Sequence, residues 1–128
     1  MKSKFYASFN GLFHRVAKMK DNLTVLHLVS TYCKPYLLYG TECFTLTVTQ
    51  SRSLCHTWLT AVSHIFNVSG TDVNFVNSVT CNETLDAALS VRRMRFLRQL
   101  HLHPDNSVLS YLWHSFARSQ LLLLNVNV

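Results

Sequence analysis

Phe5-Tyr6-Ala7-Ser8-Phe9-Asn10-Gly11-Leu12-Phe13-His14-Arg15-Val16 is the stretch on which the reading of the fold turns. Phe5, Phe9, Leu12, Phe13 and Val16 recur at i, i+4, i+7, i+8 and i+11, which is one face of a 3.6-residue period. At 100° per residue, Lys4, Gly11, Arg15 and Lys18 fall together on the opposite face. The segment therefore predicts an amphipathic helix with an aromatic inner side and a basic outer side.

The same period runs on. Asp21 or Asn22 is placed to cap a second helix that turns Leu23, Leu26, Val29, Cys33, Tyr36 and Leu37 inward and ends near Gly40. Pro35 sits inside that pattern; it has no amide hydrogen for the Thr31 carbonyl and should kink or break the helix. Thr47 followed by Gln50 is a capping-box signature, and Leu54, Trp58, Ala61, Val62 and Ile65 form the stripe of the helix it opens. Asn67-Val68-Ser69-Gly70 ends that helix. Thr71 to Thr80 is read as a short helix, although its valines also permit a strand. Asn82 or Thr84 opens a further helix to about His101, with Leu85, Ala88, Leu89, Phe96, Leu97 and Leu100 inward. Beyond Pro104, Asn106 or Ser107 caps a last helix that buries Val108, Leu112, Trp113 and Phe116.

The expected architecture is all-α, an irregular bundle of four to five helices. It forms one domain over residues 1–120: helices over 1–68, a linker or short helix over 69–83, and two C-terminal helices over 84–120. A frayed tail follows over 121–128. Length and composition agree. The 128 residues suit one domain, and 48% hydrophobic against 14% charged residues support a core and exclude disorder. Three Gly and two Pro are too few turn residues for a many-stranded sandwich.

Twelve Lys and Arg against six carboxylates leave a net charge of +6. That balance points to an anionic partner such as nucleic acid, or to a missing acidic piece of a larger protein. The N-terminus leads into an amphipathic segment rather than an apolar signal core. No run approaches the length of a membrane span, and Leu121 to Leu124 is short. Cys33, Cys43, Cys55 and Cys81 contain no C-x-x-C pair and are read as reduced, mostly buried thiols of an intracellular protein. The sequons at Asn22, Asn67 and Asn82 then carry no consequence.

Catalytic chemistry is hard to find. Two-metal phosphoryl transfer needs converging carboxylates, yet only Glu83 and Asp86 share a helical face, and at a helix start they suit the macrodipole. Cys55-His56 with His64 reads as structural, because Cys55 borders an apolar stripe. His101 and His103 lack cysteine partners for zinc. Trp58 and Trp113 lie in helical stripes and read as core. No catalytic, cofactor or metal residue is assigned, and no small-molecule substrate is expected. The basic residues remain. Lys4, Arg15 and Lys18 form one candidate phosphate-contacting set, with Gly11 allowing close backbone approach. Arg95 and Arg98, which project away from the leucine stripe, form another, while Arg92 points along that stripe and snorkels or pairs.

Two blocks carry a resemblance. One runs through Lys4-Phe5-Tyr6-Ala7-Ser8-Phe9-Asn10, Leu26-His27-Leu28-Val29 and Tyr32-Cys33-Lys34-Pro35-Tyr36-Leu37-Leu38-Tyr39-Gly40-Thr41-Glu42. The other is Trp58-Leu59-Thr60-Ala61-Val62-Ser63-His64-Ile65-Phe66-Asn67-Val68-Ser69 with Arg92-Arg93-Met94-Arg95-Phe96-Leu97. Their order resembles the region after the catalytic palm in reverse transcriptases of non-LTR retrotransposons, the long interspersed elements. The resemblance covers residues 4 to about 98. It implies a helical thumb-and-connection segment that holds a template–primer duplex, with the palm of the parent polymerase as a missing partner. The family's metal-binding Asp-Asp motif lies upstream and has no match here, so the resemblance implies no enzyme activity for this chain alone. The Leu121–Val128 end does not resemble the family and reads as a frameshifted or decayed terminus. A helical protein–protein interaction module, and a decayed fragment without selected function, are the alternatives.

Overall fold

The structure is a computed structural model and describes residues 1–81, 84–102 and 107–117. Among these residues it is all-helical, with no strand. The helices are α1 (Lys2–Val16), α2 (Asn22–Tyr32), α3 (Lys34–Leu38), α4 (Val48–Phe66), α5 (Asp72–Cys81), α6 (Leu85–Leu102) and α7 (Ser107–Leu112). A 3-10 turn lies at Thr41–Cys43 and a π-helical turn at Trp113–Ala117. The chain is divided more finely than the four to five helices expected, because Pro35 separates α2 from α3 and the Thr71–Thr80 stretch forms α5.

Packing divides the chain into two compact units, residues 1–89 and 90–128. In the first unit α1 packs on α2, α3 and α4, α2 packs on α3 and α4, and α4 packs on α5. Phe5 and Phe9 of α1 are buried, with Leu12 and Phe13 partly buried against the same core. Phe5 stacks on Phe9 at 6.0 Å between ring centroids, and Phe9 on Phe13 at 5.4 Å. Each such pair contributes about 0.5–1.5 kcal/mol beyond burial of its area. Burial of this face against the core sets the rotation of α1 about its own axis.

Local signals set several ends. The Asp21 side chain accepts from the Leu23 amide at 3.1 Å and so caps α2. The box at α4 is closed in both directions: the Gln50 amide donates to Thr47 Oγ1 at 3.2 Å, and the Thr47 amide donates to Gln50 Oε1 at 3.0 Å. Asn67, at φ 52, ends α4, and its amide donates to the Ser63 carbonyl. The Ala87 amide donates to Thr84 Oγ1 at 3.2 Å ahead of α6, while Asn82 lies outside the described residues.

The inward faces need correction at four places. Leu23 is 59% exposed and Val25 takes the inner position, because the cap at Asp21 puts Leu23 in the first turn of α2, ahead of the packed face. Tyr36 is 44% exposed: the chain restarts at Cys33, whose carbonyl accepts from the Tyr36 amide, and Leu37 and Leu38 turn inward instead. Val108 and Leu112 are exposed on α7, a helix of six residues. Pro104 and Asn106 lie outside the described residues, as does the Phe116 side chain. In the second unit the core is Leu97 and Leu100 with Met94, Phe96, Leu109 and Trp113 packed around them.

One buried hydrogen bond crosses the apolar core of the first unit. Trp58, 1% exposed, donates from Nε1 to Asn77 Oδ1 at 3.0 Å, tying α4 to α5. Lys34 Nζ stands 5.3 Å from the Trp58 ring centroid, a cation–π contact from α3. Trp58 is thus a core residue. No described helix is long and apolar enough to cross a membrane.

Candidate nucleic-acid interface

Burial of Phe5 and Phe9 leaves α1 one direction in which to present Lys4 and Arg15, and both are exposed. Eleven residues separate them, so they stand about 16 Å apart along the helix axis, three turns on one face. Gly11 lies between, also exposed, with open space where a side chain would be. The backbone there is bare toward solvent. Lys18 is exposed too, but α1 ends at Val16 and the Met19 amide closes a turn on the Val16 carbonyl at 2.8 Å. The helical angle assigned to Lys18 from the sequence therefore does not apply, and it joins Lys20 in the turn before α2. Lys2 is committed elsewhere on the same helix, donating to the Ser53 hydroxyl of α4.

Arg95 and Arg98 are exposed on the part of α6 that belongs to the second unit, whereas Arg92 and Arg93 are half-buried. Burial pushes the Arg93 guanidinium below its ordinary value. The structure thus separates the arginine cluster into two outward and two partly covered side chains, as the leucine stripe implies.

The cysteine and histidine arrangement offers no activated nucleophile. Cys55 lines an open groove of about 400 Å³ with Leu46, Ser51, Arg52 and Asp86. Burial pushes its thiol upward, and the Asp86 charge pushes the same way. The thiol is held protonated, the opposite of what attack requires. His64 is turned toward Phe9, at 6.5 Å between ring centroids. Asp86 accepts from the Ser51 hydroxyl at 2.8 Å in the first turn of α6. Its sequence partner Glu83 lies outside the described residues, as does His103, while His101 packs its ring on Trp113 at 4.7 Å. Among the described residues no three His, Cys, Asp or Glu side chains gather as metal ligands. Cys33 is buried and Cys55 half-buried, but Cys43 is exposed, because it closes a surface 3-10 turn rather than facing a core.

Sequence reasoning passed over three tyrosines. Tyr32, Tyr36 and Tyr39 are 62%, 44% and 77% exposed on α2, on α3 and at the end of α3. Their spacing of i, i+4 and i+7 is visible in the sequence, but reading Tyr36 as inward breaks the row.

Compared with family models, with curated proteins and with solved structures, the chain matches none.

Proposed function

We propose that this chain is a non-catalytic nucleic-acid-holding module of the kind found after the palm in non-LTR retrotransposon reverse transcriptases. It grips the sugar–phosphate backbone of a duplex and performs no phosphoryl transfer on its own. One observation carries the reading: Lys4 and Arg15 stand outward on α1, with the bare backbone of Gly11 between them, on the side opposite a packed phenylalanine face. Two cations about 16 Å apart on a rigid helix suit contact with phosphates several nucleotides apart on a duplex backbone. Lys18 extends the set from the following turn, and Arg95 and Arg98 are a second set on α6. The order of the Lys34–Glu42 and Trp58–Ser69 blocks supports the family, and free thiols support an intracellular setting. The palm of the parent polymerase is the implied protein partner.

Fluorescence anisotropy with a labelled duplex tests the reading. Contacts to about three phosphates give a log–log salt slope near −3, so a fourfold rise in salt weakens binding about fortyfold. Charge reversal by Lys4→Glu, Arg15→Glu and Lys18→Glu together should abolish it. Duplex binding indifferent to salt, or to those changes, refutes the proposal.

A second reading has its own support. Phe75 and Val79 are 70% and 64% exposed one turn apart on α5, a site for a protein partner. In that module the cations only confer solubility, and partner binding survives the three charge reversals.

A further inference from the structure

Tyr32, Tyr36 and Tyr39 are exposed at the end of α2 and along α3, the two helices that pack on α1, where Lys4 and Arg15 are exposed. Residues 1–40 contain Lys2, Lys4, Arg15, Lys18, Lys20 and Lys34 with one carboxylate, Asp21, and they hold four of the five tyrosines of the chain. Tyr32, Tyr36 and Tyr39 recur at the interval of a single helical face. The restart of the chain at Cys33 and the inward turn of Leu37 and Leu38 leave all three directed to solvent. The three rings fall within eight residues, at the end of α2, on α3 and at the C-cap of α3. The first unit thus joins a cationic helix to a row of exposed phenols.

We infer that Tyr32, Tyr36 and Tyr39 are a stacking platform for the unpaired bases of a single strand whose phosphates α1 and the following turn attract. The inference rests on the nucleic-acid reading above and names the form of nucleic acid that this part of the molecule takes. Three features favour it. Aromatic faces beside a positively charged surface are how single strands are bound without sequence preference, because every base has a π-face. Tyrosine presents a large rigid ring at a low cost in conformational entropy. The charge of residues 1–40 complements a polyanion.

The test uses the full chain and two fluorescein-labelled probes, an oligothymidylate of a dozen nucleotides and a duplex of equal length. Tyr36→Ala and Tyr39→Ala should each weaken single-strand binding about five- to a hundredfold, from the usual effect of removing one stacked ring. Tyr36→Phe should restore it, since the ring and not the hydroxyl stacks. Duplex binding should change little in all three, and the salt slope of single-strand binding should stay the same. Because these side chains are exposed, helical circular dichroism should be unaltered in every variant. Single-strand affinity unchanged in both alanine variants overturns the platform alone, and the duplex reading survives it. A parent protein that binds neither probe overturns both readings together.

Discussion

Gly11→Ala separates folding from function in α1. Gly11 is exposed in the helix, and a β-carbon there meets no atom within 4 Å. Its backbone is that of an ordinary helical residue, so alanine introduces no strain. Glycine inside a helix is less favourable than alanine by about 0.8–1 kcal/mol, because it loses more backbone freedom on folding. The compact unit that holds α1 is residues 1–89, and for a domain of that size each kcal/mol moves the melting temperature by about 4–8 °C. Gly11→Ala should therefore raise the melting temperature by about 3–8 °C, measured by circular dichroism. If a phosphate chain lies against the bare backbone between Lys4 and Arg15, the new methyl stands where it passes, and duplex affinity should fall in the same protein. A more stable variant with weaker binding is the expected result. No rise in melting temperature refutes the placement of Gly11 on an open helical surface, and a rise with unaltered affinity refutes close approach at that point.

Other outcomes follow from particular contacts. Asn77→Ala removes the acceptor of the buried Trp58 indole and should cost about 1–3 kcal/mol in denaturant unfolding, whereas a cost near zero means that water replaces the amide. The Asp21 carboxyl is held below the usual range, first by the Thr24 hydroxyl and then by the Leu23 amide. A depressed folded-state value stabilises above the unfolded value and is lost as the pH falls below about 4, so the parent's melting temperature should drop more steeply between neutral and acid pH than that of Asp21→Asn. With a thiol reagent at neutral pH, exposed Cys43 should react fast and Cys55 slowly; Cys43→Ser should delete the fast phase and Cys55→Ser should leave it intact.

Where a structural decision is local, it could be read in the residues. The Thr47–Gln50 box closes because both partners lie three residues apart, and Pro35 interrupts α2 whatever surrounds it. The phenylalanine stripe of α1 repeats often enough to fix its face. Decisions that depend on a neighbour were not legible. Val25 and Leu23 are equally apolar, and the packing of α2 on α1, α3 and α4 determines which faces the core. Val108 and Leu112 follow a helical pattern, but α7 is too short to seat both. Asn77 shows nothing along the chain that marks it as the partner of an indole nineteen residues away. The candidate interface follows the same division. Lys4 and Arg15 were placed by the stripe opposite them, whereas Lys18 required knowing where α1 stops, and Tyr36 required knowing how the chain restarts after Cys33.

The distribution of charge argues that the basic face is directed rather than incidental. A surface built for solubility intersperses both signs. Here residues 1–40 carry six cations and one carboxylate, while residues 41–89 carry Arg52 as their one Lys or Arg against Glu42, Asp72, Glu83 and Asp86. Both segments belong to the same compact unit, so the cations of that unit are concentrated in its first forty residues. That uneven distribution gives α1 and the turn behind it a field of one sign. A field of that kind acts on an anion arriving from solution. It raises the encounter rate, and the rate should fall with salt even where the final contact is a stacked ring. Rapid-mixing measurements with the oligothymidylate should find that Lys4→Glu with Arg15→Glu slows association, whereas Tyr36→Ala speeds dissociation and leaves association unchanged. Should the two charge reversals also act on dissociation alone, the segregated charge plays no steering role.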